Sequence, residues 1–178
     1  MKEEIFIAGY GGQGIIAAGE IIAKAAMIED LYAVLTKFYG AEVRGGPVGC
    51  GVIVSSEPIH FQFVRRPNFL LALHESGIKA HAPKIADIAI IDDDLVKHVD
   101  INAKQIIRLP IVRTADGIGV SITANIVILG SYAHFSRLIK IESIEKAIRS
   151  VVKKKYIDIN LRALKEGYAL AESINANA

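Results

Sequence analysis

The sequence predicts an α/β fold in three layers, an α/β/α sandwich around a mainly parallel sheet. Three observations carry this expectation. Residues 4–14, Glu-Ile-Phe-Ile-Ala-Gly-Tyr-Gly-Gly-Gln-Gly, run a short apolar strand straight into a glycine-packed turn that opens a helix, as the first crossover of an α/β sheet does. Apolar runs of about six residues recur at 48–55, 69–74 and 87–92, the pattern of strands buried on both faces. The last third places apolar residues at helical spacing, so the chain should finish in helices. The arrangement is Rossmann-like and is expected to occupy residues 1–178 as a single domain.

Each element follows in order. Gly9, Gly11 and Gly14 satisfy G-x-G-x-x-G at the end of the first strand, supplying a tight turn, close backbone approach and close packing of helix on strand. Residues 14–27 are almost wholly Gly, Ala and Ile, a helix buried on most sides, with Glu20 and Lys24 four apart to pair on its polar stripe. A second strand covers 32–38. After the strand at 48–55 and a turn at Glu57-Pro58, Ile59, Phe61 and Phe63 alternate with His60 and Gln62 as in a half-exposed strand. An antiparallel excursion is therefore expected around residues 48–64. Strands at 69–74, 87–92 and 106–109 follow, the last stopped by Pro110. Helices are expected at 121–135, at 143–154 with Ile144, Ile148, Val151 and Val152 on one face, and at 160–174 with Leu161, Leu164, Tyr168 and Ala171 aligned.

Composition bounds the function. Hydrophobic residues make up 52% of the 178 and charged residues 22%, which implies a buried core and argues against disorder. A net charge of +2 predicts neither a nucleic-acid binder nor a polybasic membrane ligand. No apolar run reaches the ~18 residues that span a bilayer. The N-terminus passes from Met1-Lys2-Glu3-Glu4 into a strand without a cleavable signal pattern, so a cytoplasmic protein is expected, without membrane or nucleic-acid partners. The single cysteine, Cys50, can form no internal disulfide and cannot alone hold an iron–sulfur cluster, which takes about four thiolates. It reads as a small buried residue.

The glycine corner at Gly9, Gly11, Gly12, Gln13 and Gly14 offers free N–H groups and a positive dipole end, both favourable to a phosphate. A dinucleotide site also needs an acidic residue ending the second strand, about 20 residues on. Here Glu29 and Asp30 precede that strand and Lys37 lies near its end, so the ribose grip is missing. Lys37 is read as a surface lysine, with a phosphate contact as the alternative. A second glycine cluster, Tyr39-Gly40-Ala41-Glu42-Val43-Arg44-Gly45-Gly46, follows the second strand. If that strand runs parallel to the first, the loop leaves the same carboxyl edge, where open α/β sheets bind ligands. Arg44 beside two glycines suits docking of a carboxylate, a phosphate or another subunit, and docking is preferred to chemistry.

The remaining polar clusters have plainer readings. His74-Glu75 follows a strand end and could be an acid–base pair, yet His-Glu-Ser-Gly also reads as a helix start with Ser76 or Glu75 near the cap. His60, His81, His98 and His134 show no ligand spacing with one another or with Cys50, so no metal site is expected. Asp92-Asp93-Asp94 resembles a magnesium patch but lacks a G-x-x-x-x-G-K partner, and capping by Asp93 or Asp94 ahead of Leu95 is simpler. Lys153-Lys154-Lys155 reads as a solvated helix end. With no nucleophile elbow, metal-ligand set or thiol pair, the sequence offers a ligand-binding edge without a catalytic group.

Taken together, the strand with Gly9-Tyr10-Gly11-Gly12-Gln13-Gly14, the loop Tyr39 to Gly46 followed by Val52-Ile53-Val54-Ser55, and the late Asn125 with Leu129-Gly130 resemble the gamma subunit of 2-oxoacid:ferredoxin (acceptor) oxidoreductases, over residues 4 to about 172. The loop is most like the 2-oxoglutarate or general 2-oxoacid branch, where it typically reads Tyr-Gly-Pro-Glu-Met-Arg-Gly-Gly. Ala41 and Val43 depart from that pattern, and Pro47 stands where a threonine is usual. The resemblance implies a noncatalytic subunit of an enzyme that converts a 2-oxoacid and CoA to acyl-CoA and CO2 and reduces ferredoxin. The whole assembly would use thiamine diphosphate, Mg2+ and iron–sulfur clusters, with alpha and beta subunits and a ferredoxin-like, cluster-bearing subunit as partners and no cofactor held by this chain alone. Under it, Gly9 to Gly14 either meets a neighbouring subunit, the preferred reading, or contacts CoA phosphates, and Tyr39, Gly40, Glu42, Arg44, Gly45 and Gly46 form an interface. The mean hydropathy of +0.36 agrees with burial against partners. The alternative is a stand-alone nucleotide-binding module.

Overall fold

The computed structural model describes residues 1–40, 45–98 and 100–175. Its centre is a six-stranded sheet in the order β2-β3-β1-β4-β5-β6, formed by β1 (Lys2–Tyr10), β2 (Tyr32–Tyr39), β3 (Pro47–Ser55), β4 (Phe69–Ala72), β5 (Ile85–Asp92) and β6 (Asn102–Leu109). β1, β4, β5 and β6 are parallel neighbours. β3 lies between β2 and β1 and is antiparallel to both. Two reversals cancel, so β2 points the same way as β1 and its following loop leaves the same edge. The expected mainly parallel sheet with an antiparallel excursion is thus realised, with β3 as the excursion.

The excursion is shorter than the sequence implied. Residues 56–68 contain no strand, although Ile59, Phe61 and Phe63 alternate with polar neighbours. Thr36 of the edge strand β2 donates its hydroxyl to the Gln62 carbonyl at 2.8 Å, and Val64 packs over Gly51, so this segment lies across the sheet instead of joining it. Pro58 and Pro67 flank it, and neither can donate to a ladder.

Alternation of side chains divides the core in two. Ile5, Ile7, Val52, Val54, Leu71 and Ile90 face α1 (Ile15–Ile28), α4 (Ala124–Phe135), α5 (Ile141–Val151) and α6 (Ile157–Asn175). Phe6, Ala8, Ile53, Leu70, Ala89 and Ile91 face a thinner layer containing the short α2 (Glu75–His81) and Val64. α4 is buried almost throughout and crosses α6 with backbones in contact. A Cβ on Gly130 would strike the backbone of Leu164 and Tyr168, one on Gly167 that of Val127, and Ser131 donates its hydroxyl to the Gly167 carbonyl at 2.9 Å.

Three local expectations are corrected. Glu20 pairs with Lys37 of β2 at 2.8 Å and not with Lys24, because helix and strand bring opposite charges together across the layer. No helix starts at Leu95. Asp92, not Asp93 or Asp94, holds the turn there, one oxygen accepting from the amides of Asp94 and Leu95 at 3.0 and 2.8 Å and the other from Val112, in the first turn of the helix that follows Pro110, at 2.8 Å. A helix absent from the sequence reading, α3 (Ile111–Ile118), begins after Pro110 and ends at Gly119, whose φ is 104°. Its proline start and glycine stop are the usual signals.

Candidate functional site at the glycine corner

β1 ends in the glycine turn at the carboxyl edge of the sheet. Gly12 and Gly14 have φ of 93° and 71°, the left-handed region that favours glycine. Gln13 between them bridges two strand ends, accepting from the Tyr10 amide at 2.7 Å and donating to the Leu73 carbonyl at 3.3 Å. Gly9 is where the Gln13 side chain folds back, since a Cβ there would lie 2.7 Å from Gln13 Oε1. Asn125, at the start of α4, donates from Nδ2 to the Gly14 carbonyl at 3.0 Å.

The second glycine loop meets this turn. Gly11 donates to the Gly46 carbonyl at 2.9 Å and Gly40 to the Pro47 carbonyl at 3.1 Å. A Cβ on Gly11 would come within 3.1 Å of Gly45 Cα, so the approach of the two loops depends on glycine at that position. Tyr39 is 62% exposed at the end of β2. The sequence-predicted Glu42 and Arg44 lie outside the described residues. Between turn and loop is a recess of about 450 Å³ lined by Tyr10, Gly11, Gly12, Gly14, Ile15 and Tyr39, among others.

The recess is suited to an anion. α1 starts at Gly14 with no side-chain cap and no acidic residue in its first turn. Its first intrahelical bond is from Ala18 to Gly14, so the amides of Ile15, Ile16 and Ala17 have no acceptor within the helix. Fourteen residues of aligned peptide dipoles add a partial positive charge at that end.

His74 and Glu75 sit at the same edge in structural roles. The Tyr10 and His74 rings lie 5.4 Å apart. His74 caps α2, its Nδ1 accepting from the Ser76 amide at 3.1 Å. A Cβ on Gly77 would strike the backbone of Gly9, so α2 abuts the corner directly. One Glu75 oxygen accepts from the amides of Lys97 and His98, each at 2.7 Å, and the other meets Lys79 at 3.3 Å. The His98 amide bond, with help from Lys79 and Lys97, holds this carboxyl down to about 2. A carboxylate so engaged is a poor general base. Cys50 is fully buried, and burial pushes its thiol up to about 12. Among the described residues no cluster of three or more His, Cys, Asp or Glu is placed to hold a metal, and no helix is long and apolar enough to cross a membrane. Sequence reasoning missed the Asn125–Gly14 contact and the His74 cap; the latter had a local signal in Ser76 two residues on.

A six-stranded α/β sheet with a glycine corner folded against a second glycine loop defines the class. Residues 4–170 match the family described as pyruvate ferredoxin/flavodoxin oxidoreductase, and the chain belongs to that family. Within it, this is a gamma-type subunit of a 2-oxoacid:ferredoxin oxidoreductase. It is 37% identical to the 2-oxoglutarate synthase subunit KorC of Methanocaldococcus jannaschii, covering 98% of this chain and 96% of that protein. The keto/oxoacid ferredoxin oxidoreductase gamma subunit of Geobacter sulfurreducens superposes with a TM-score of 0.83 at 32% identity, over 97% of this chain and 98% of the other. A 2-oxoglutarate:ferredoxin oxidoreductase from Magnetococcus marinus, solved with 2-oxoglutarate, coenzyme A and succinyl-CoA bound, shares the fold at a TM-score of 0.80 and 23% identity, over 97% of this chain and 31% of that one.

Proposed function

We propose that this chain serves an oxidoreductase that converts 2-oxoglutarate and CoA to an acyl-CoA and CO2 with reduction of ferredoxin. In this reading the glycine corner takes the phosphates of CoA and the Tyr39–Gly40 and Gly45–Gly46 ends of the neighbouring loop contact another subunit. The observation that carries the ligand reading is the uncapped amino end of α1 opening into the recess between Gly12 and Tyr39. The exposure of Tyr39 supports the subunit contact. Similarity over nearly the full length to a 2-oxoglutarate synthase subunit supports the choice of 2-oxoacid. Thiamine diphosphate, Mg2+ and the iron–sulfur clusters then belong to the alpha and beta subunits and a cluster-bearing partner.

The test is steady-state kinetics of the assembled enzyme carrying Gly12→Ala or Gly12→Asp. A Cβ at Gly12 meets nothing within 4 Å, so alanine reports the backbone effect alone and aspartate adds a charge facing the phosphate. The expected result is a KM for CoA raised far more by aspartate than by alanine, with the KM for 2-oxoglutarate unchanged. Equal CoA kinetics in the two variants would reject the anion reading.

A further inference from the structure

The amino edge of the sheet, opposite the glycine corner, presents a surface of different chemistry. Two clefts of about 610 and 320 Å³ lie there side by side, and Met1 and Lys2 line both. Phe61 and Phe63, 45% and 43% exposed, hold their rings 5.8 Å apart in an edge contact, and the Arg65 guanidinium carbon stands 4.3 Å over the Phe61 ring. Arg137 lines the larger cleft together with Phe69, Phe135 and Leu138 and with the polar Asp87 and Lys104. Aromatic residues, methionine and arginine are the types enriched in protein–protein contacts. Groups already held in place lose little freedom on association.

Charge selects the partner. The acids of this edge are mostly engaged: Glu4 with Lys2, Asp87 with Lys104 and Asn68, and buried Glu3 with Tyr132 and Ser136. Arg65, Arg66 and Arg137 make no ion pair within 4 Å among the described residues. Arg137 acts at longer range on buried Glu3 and Arg66 on Asp87, which Lys104 already holds, and Glu57 is the exposed acid of this edge without a pair. The charge left to be answered is positive.

We propose that this edge docks an acidic face, centred on an apolar side chain, of another subunit of the oxidoreductase. The proposal rests on the subunit reading above and adds a second contact surface to it, on the far side of the sheet from the CoA recess.

The test uses the chain co-expressed with its partner subunits. Phe61→Ala with Phe63→Ala removes the rings, and Arg65→Glu with Arg137→Glu reverses the charge. Circular dichroism confirms that each variant is folded, and size-exclusion chromatography measures how much of it is assembled. Each pair is expected to weaken assembly about tenfold or more, while Arg65→Lys with Arg137→Lys retains it. Assembly of both disruptive variants at the wild-type level would overturn the proposal and leave the subunit reading standing. So would normal assembly with a raised KM for ferredoxin, which would make the edge an acceptor surface. A wild-type chain that assembles with nothing would overturn both.

Discussion

Asn125 donates its side-chain amide to the carbonyl of Gly14 at 3.0 Å across 111 residues of sequence. This is the bond by which α4 holds the left-handed residue that starts α1. Asn125 is 7% exposed, so removing the donor leaves a carbonyl short of a partner near the interior. Asn125→Ala is expected to destabilise the chain by about 1–2 kcal/mol. Asn125→Asp should do worse, because a carboxylate would face a carbonyl. Urea denaturation of the isolated chain checks the stability, and the KM for CoA of the assembled enzyme checks that the corner has shifted.

Gly130→Ala and Gly167→Ala each force a methyl into the facing helix backbone. Overpacking a tight core costs about 1–3 kcal/mol and sometimes more, and backbone cannot rotate away as a side chain can. Both variants are expected at or beyond the top of that range, read as a fall in the urea midpoint. Gly117→Ala, where a Cβ meets nothing within 4 Å, is the control and should be stable.

Two carboxylates give opposite pH dependences. Burial raises Glu3 above its ordinary 4.5, against the bonds it accepts from Ser136, Tyr132 and the Arg137 amide. The folded state therefore holds this proton more tightly than the unfolded chain, and the Glu3 contribution to stability declines as pH rises from about 4.5 through the raised value. Glu75 is held down to about 2 from 4.5, so its contribution is full above about 4.5 and is lost as pH falls toward 2. Glu3→Gln should flatten the alkaline side of the stability profile and Glu75→Gln the acid side. Thermal melts across pH test both, and a shared change in the two variants would contradict this assignment.

Cys50 should be inert in the native chain. It is fully buried with its thiol pushed up to about 12, so little thiolate exists at neutral pH and a reagent has no path to it. A colorimetric thiol reagent should react only as fast as the chain unfolds, with full reactivity in denaturant. Rapid native labelling would contradict the burial.

The parts of this fold that were legible in the sequence are those with a local signature. The glycine turn, α1 and the buried strands each announce themselves by adjacent residues, and the second loop reaches the corner as expected, though through the reversal at β3. What escaped depends on partners distant in the chain. The spacing of Glu20 and Lys24 satisfies the helix rule, yet Lys37 offers the nearer charge. Alternation at Ile59, Phe61 and Phe63 reports half-exposure and is the same for a strand in the sheet as for a segment lying over it. Within the site, Gln13 could be picked out by its place among glycines, whereas nothing near Asn125 records that Gly14 is its partner.

The paired bonds at the corner, Gly11 to Gly46 and Gly40 to Pro47, have a practical consequence for protein engineering. They fix Gly40 to the start of β3 and Gly46 to the turn after β1 through main-chain atoms, which are the same whatever side chains lie between. Exchanging residues 41–44 for those of related chains is therefore expected to leave the register of β2 and β3 unchanged, which the thermal stability of such chimaeras checks. A panel of such chimaeras would hold the scaffold constant while varying only the composition of these four positions.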